Sequence, residues 1–131
     1  MDEALLRAYL ATDYQVRLPD GRRASLRVDA PVPTALARWL GIRPWVYLTA
    51  WNPQSRPRAF QVNRLAQRSL LAALEGRPVL AGVGIGPDGW RESSLLVAGL
   101  DVPEADALGH RFGQLAYLHG SEGGPARLRW L

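Results

Sequence analysis

Apolar positions along this chain recur with two periods, and the switches between them mark out its elements. Leu5/Tyr9 and Leu6/Leu10 repeat at i,i+4, which predicts a short helix over residues 3–11. Residues 14–18 and 24–28 flank Pro19-Asp20-Gly21, a strong turn signal, and read as a hairpin. Residues 33–40 follow a helical pattern, with Gly41 as its stop. The unbroken apolar run 45–51 predicts a strand buried on both faces. Pro53 then drives Asn52 out of the helical region and ends that strand in a turn. The longest helix is expected over 59–74, terminated by Gly76 and Pro78. Residues 79–85 form a strand that Pro87-Asp88-Gly89 turns back into 93–100. Asp101-Val102-Pro103-Glu104 resembles a capping box and opens a helix that Gly113 ends. A strand follows at 115–119. In 126–130, Arg127 and Arg129 alternate with Leu128 and Trp130, as in an edge strand.

This order predicts an α+β fold for residues 1–131 as a single domain: a mixed β-sheet of about six or seven strands, with βαβ crossovers and packed helices. The crossover from 45–51 through helix 59–74 to 79–85 makes those two strands parallel. The hairpin then starts strand 93–100 at the edge where both end. A second crossover starts strand 115–119 at that edge too. Asn52, Trp90, Glu92, Ser94 and Gln114 are thereby expected on one rim, at the carboxyl end of the central strand, where α/β proteins tend to bind ligands. Asn63 shares a helix face with Ala66, Leu70 and Leu74. An amide on such a stripe needs hydrogen-bond partners, and the loop 52–58 is the nearest source.

Composition narrows the chemistry. The 131 residues are 47% hydrophobic, enough for a core without staples. No apolar stretch is long enough to cross a membrane. The acidic start Met1-Asp2-Glu3 is not followed by a signal-peptide pattern, so the bacterial cytoplasm is the expected location. The absence of cysteine leaves no disulfide and no thiol nucleophile. All 16 basic residues are arginine, which excludes a P-loop lysine and a Schiff-base lysine; GC-rich coding accounts for this bias. The net charge of +4 is modest and the arginines are scattered, so nucleic-acid binding is permitted but not indicated.

Several of these segments also carry a resemblance. The chain resembles a bacterial family known as domain of unknown function 3293. The shared motifs are Ala8-Tyr9-Leu10-Ala11-Thr12-Asp13-Tyr14, Thr49-Ala50-Trp51-Asn52-Pro53, the helical Asn63, the glycine-rich turn with Trp90-Arg91-Glu92-Ser93-Ser94, and Phe112-Gly113-Gln114. Members often carry two acidic residues after the tryptophan; here the second is Ser93. The resemblance implies a fold family and no established activity.

Gly84-Ile85-Gly86-Pro87-Asp88-Gly89 fits G-x-G-x-x-G literally, but a turn and strand follow where a dinucleotide site needs a helix. It therefore reads as a hairpin, and no cofactor is expected. His110 and His119 without cysteine do not compose a closed zinc site, so no metal is expected either. Ser94 lacks a nucleophile elbow. Glu92, between Trp90 and Ser94, is the best acid/base candidate, because a carboxyl against an indole can have a raised pKa. Its competing reading is a structural partner for Arg58, Arg91 or the backbone.

The leading expectation is a pocket for a small polar or anionic ligand. Thr49, Trp51, Asn52, Asn63, Trp90, Glu92, Ser94 and Gln114 would form it, with Glu92 as the catalytic candidate if there is turnover. The N-terminus of the long helix, with Arg56 or Arg58, would favour an anionic group. The alternative is a protein–protein interaction or regulatory module whose polar rim is structural, with edge strand 126–130 available for a partner or for homodimerisation.

Overall fold

The computed structural model describes residues 2–131. Its elements are α1 (Glu3–Ala11), β1 (Asp13–Arg17), β2 (Arg23–Leu26), α2 (Thr34–Leu40), β3 (Trp45–Leu48), a 3₁₀ turn (Pro53–Ser55), α3 (Phe60–Ala73), β4 (Val79–Ile85), β5 (Arg91–Ala98), α4 (Val102–Arg111), β6 (Ala116–Gly120) and β7 (Arg127–Trp130). Local chemistry accounts for several boundaries. The Asp2 carboxylate accepts from the Ala4 and Leu5 N–H groups and opens α1. Asp101 does the same for α4 through the Glu104 N–H. The strand predicted over 45–51 stops at Leu48, because the backbone then turns into a loop held by side chains.

The fold is α+β, and the seven strands form one sheet in the order β2-β1-β4-β5-β3-β6-β7. The expected mixed pairing is replaced by antiparallel pairing throughout. The directions inferred from the two crossovers still hold. β3 and β4 run the same way, but β5 lies between them and pairs with both. β5 and β6 likewise run the same way, with β3 between them. Each crossover skips one place in the sheet, and a strand of opposite direction fills the gap. The four strand ends that matter therefore share one edge without any parallel ladder.

The sheet curls into a half-barrel. Tyr14, Val16, Leu26, Trp45, Tyr47, Leu96 and Leu118 fill its concave side, where Leu36 and Leu40 of α2 join them. The convex side of the central strands packs on α3 and α4 through Val46, Leu48, Leu70, Leu74, Val97 and Ala105. β3 is buried on both faces, as expected from its unbroken apolar run. Beyond α4, Arg129 of β7 pairs with both oxygens of Asp106, which also accepts from the Tyr117 hydroxyl. The Arg129 hydrogen bonds hold the Asp106 carboxyl down at about 2.

Two contacts set the curl. On the concave side, the Tyr47 hydroxyl reaches from β3 to donate to the Gln15 carbonyl of β1 at 2.9 Å. It passes over Gly82 of β4, where a β-carbon would lie 2.6 Å from the Gln15 oxygen and 2.8 Å from the Tyr47 oxygen. At the sheet's two outer edges, the chain after β2 meets the start of β7. Asp29 N–H donates to Ala126 O at 2.7 Å, and Ala126 N–H donates to Ala30 O at 3.1 Å. An Asp29–Arg127 ion pair lies beside them. No helix is long and apolar enough to cross a membrane among the described residues.

Gly82→Ala should therefore destabilise the protein by about 1–3 kcal/mol through overpacking against backbone. Urea unfolding at equilibrium measures it. A variant as stable as the wild type would show that the Tyr47 crossing does not constrain the sheet.

Candidate functional site

At the edge shared by the ends of β3 and β4 and the start of β5, the half-barrel opens into a cavity of about 380 Å³. Five of the eight residues expected at a site line it: Thr49, Trp90, Glu92, Ser94 and Gln114. They come from the end of β3, the β4–β5 hairpin, β5 itself and the turn before β6. Alternation along β5 points Glu92 and Ser94 to the concave side, while Ser93 faces away. Opposite Glu92 on β4 stands Gly84, whose missing side chain leaves the space open.

Trp51, Asn52 and Asn63 do not line this cavity. Asn52 and Asn63, both buried, satisfy each other. The Asn52 N–H donates to Asn63 Oδ1 at 2.8 Å, and Asn63 Nδ2 donates to Asn52 Oδ1 at 2.7 Å. Asn52 Oδ1 also accepts from the Arg58 N–H, and Asn63 Nδ2 reaches the Arg58 carbonyl. Gln67, one turn further along α3, accepts from the Ala50 N–H at 2.8 Å. These amides hold a loop in which Asn52, Gln54 and Ser55 all have positive φ. The Trp51 ring packs edge-on against Phe60, 5.6 Å between centroids. Its carbonyl accepts from Gln114 Nε2, which places Gln114 on the same rim as Asn52.

The sequence reading missed an aromatic wall. Tyr9 and Thr12 of α1, Tyr14 of β1, Tyr47 of β3 and Ser55 of the loop complete the lining. Two signals were available. Leu5 and Tyr9 form an apolar pair on a helix with no fully buried residue, and Tyr47 and Thr49 alternate onto one face of their strand. Burial raises all three phenols above their ordinary range, Tyr9 to about 12, and the charge of Glu92 raises each further.

Hydrogen bonding in the lining is lopsided. The Tyr14 hydroxyl donates to Tyr9 O, Tyr47 to Gln15 O, Thr12 to Ala8 O, Thr49 to Ser93 O and Ser94 to Glu92 O. The Gln114 amide donates to Trp51 O and Phe112 O. These donors are spent on backbone carbonyls, so these side chains offer the cavity acceptor oxygen, while the Tyr9 and Ser55 hydroxyls, which also line it, are not spent in this way. Glu92 is half-buried and, among the described residues, takes part in no ion pair. Burial pushes its carboxyl up to about 7, against a smaller lowering by a hydrogen bond from Trp90. Neither Arg58 nor Arg91 pairs with it. Among the described residues no arginine or histidine lines the cavity, so the expected anion-binding corner with Arg56 or Arg58 is not part of it. Among the described residues, no three His, Asp or Glu side chains gather as a metal site.

The pattern of a protein family described as "Protein of unknown function (DUF3293)" matches residues 48–117. The chain belongs to this family. The match runs from the end of β3 to β6 and takes in Thr49, Trp90, Glu92, Ser94 and Gln114, while Tyr9, Tyr14 and Tyr47 fall before it. Searches of curated proteins and of solved structures find no match.

Two outcomes are expected. Asn63→Leu strands the Asn52 N–H, leaves the Asn52 side-chain oxygen with the Arg58 N–H alone, and should cost about 1–3 kcal/mol in urea unfolding. An unchanged midpoint would remove its anchoring role. Glu92 binds its proton more tightly in the folded state than in the unfolded one. Wild-type stability relative to Glu92→Gln should thus fall as pH rises from about 4.5 to about 7 and level off above. A difference that is flat over that window would contradict the raised pKa.

Proposed function

We propose that this cavity is a binding site for a small, partly apolar molecule that presents a hydrogen-bond donor to Glu92. One observation carries the reading: a half-buried carboxyl without a counter-charge among the described residues stands at the wall of a partly open cavity. Burying a carboxyl without a counter-charge is costly, and structural carboxylates acquire arginine or backbone partners, as Asp106 does here. The apolar share of the lining, with Leu5, Leu118 and Leu128 beside the tyrosines, suits the body of an organic ligand. The mouth of a β-barrel is a recurrent place for such a site. An anionic ligand is disfavoured, since the lining offers it two carboxylates, Asp88 and Glu92, and no cation.

The reading as an interaction module finds less support. The edge strand it relied on, 126–130, is occupied at its start by the contacts of Ala126 with Asp29 and Ala30. Turnover is a further possibility of the same site, because a carboxyl titrating near neutrality is suited to proton transfer.

Gly84→Leu tests the reading. A β-carbon at Gly84 meets only ordinary contacts, 3.7 Å from Thr12 and Tyr14, so the variant should fold with its side chain inside the cavity. In a fragment screen by two-dimensional NMR, neutral and basic fragments should shift Tyr9, Thr49 and Glu92 in the wild type and none of these in Gly84→Leu. Fragments that bind both proteins alike would place binding elsewhere.

A further inference from the structure

The donor and acceptor inventory of the cavity specifies more than a hydrogen bond. Resting on the binding-site reading above, we propose that the ligand is an organic ammonium ion, a primary or secondary amine whose charged N–H group sits on Glu92 among the rings of Tyr9, Tyr14 and Tyr47. Two independent features support it. The hydroxyls of Tyr14 and Tyr47 are turned to backbone carbonyls, so neither donates to Glu92, and both aromatic side chains line the cavity with it. Ring faces attract cations, and carboxylates bind charged donors more strongly than neutral ones. The charge distribution agrees. The chain carries 16 arginines and a net charge of +4, yet among the described residues the only charged side chains lining the cavity are Glu92 and Asp88.

A neutral donor would satisfy the hydrogen bond but leave the carboxylate's charge uncompensated. An ammonium ion does both, so binding it should expel the Glu92 proton. The groups facing Glu92 are Tyr9 from α1, Tyr14 from β1, Tyr47 from β3, Asp88 and Trp90 from the β4–β5 hairpin, and Gln114 from the turn before β6. None of them is a histidine, so the pH dependence of binding, compared with that of Glu92→Gln, reports on Glu92.

The test compares three probes of one shape: phenethylammonium, 2-phenylethanol and 3-phenylpropionate, followed by calorimetry and NMR on the full chain. The ammonium ion should bind tightest and the carboxylate should not bind. Ammonium affinity should fall roughly tenfold per pH unit below the Glu92 midpoint, while that of the alcohol stays level. Glu92→Gln should weaken the ammonium ion by about 10–100-fold and leave the alcohol unchanged. If the alcohol binds in the cavity as well as the ammonium ion, or Glu92→Gln spares the ammonium ion, the cation proposal falls and the binding-site reading stands. If no probe shifts the cavity residues at millimolar concentration, both fall.

Discussion

The hydroxyl of Tyr47 resting on the Gln15 carbonyl is the contact on which the architecture turns. It joins β3 to β1 across two intervening strands, a span that a flat sheet would not permit. The sheet must curl, and it can curl this far only because Gly82 offers no side chain beneath the ring. Once curled, it encloses a concave core, and that core must end somewhere. At one end α2 and Trp45 complete the packing. At the other, the strands finish in Thr49, Glu92, Ser94 and two glycines, and the space stays open. The carboxyl of Glu92 is half-buried for the same reason that the barrel has a mouth.

Polar residues at this rim divide into two groups with different tasks. Asn52 and Asn63 spend their amides on backbone and on each other, Gln67 gives its side-chain oxygen to the Ala50 N–H, and together they hold a loop with three positive-φ residues. Thr49, Ser94 and Gln114 also spend their protons on backbone, but their oxygens border the cavity. The second group is held rigid by the first, since Thr49 and Ser55 stand at either side of the loop that the amides fix.

Much of this was legible in the sequence because strand and helix signals are local. The unbroken apolar run at 45–48, the turn at Pro87-Asp88-Gly89 and the Asp101 cap each depend on a few neighbours. Asn63 betrayed itself as an amide on an apolar stripe, and Glu92 as a carboxyl on the inward side of a strand. Strand order was not legible. Whether β5 returns beside β4 alone or also slides against β3 depends on contacts between residues some 45 positions apart, such as Leu48 with Leu95. The tyrosines were missed for a related reason. Tyr14 and Tyr47 read as ordinary core residues until the curl brings their rings, 5.5 Å apart, onto one wall. The acceptor-rich character of the cavity depends on where each hydroxyl proton points, and no residue pattern encodes that.

Helix α1 spans the gap between the two outer edges of the sheet at the cavity. Arg27, just past β2, donates to the Ala11 carbonyl, and Tyr9 packs edge-on against Trp130 of β7, 5.4 Å between centroids. Yet α1 has no fully buried residue, whereas every residue of β3 is buried. Local opening free energies follow burial, so α1 detaches at far lower cost than the sheet unfolds. The wall that carries Tyr9 should thus exchange its amide protons faster than the strands behind it. Exchange rates along residues 3–11 measure how often the wall that carries Tyr9 opens.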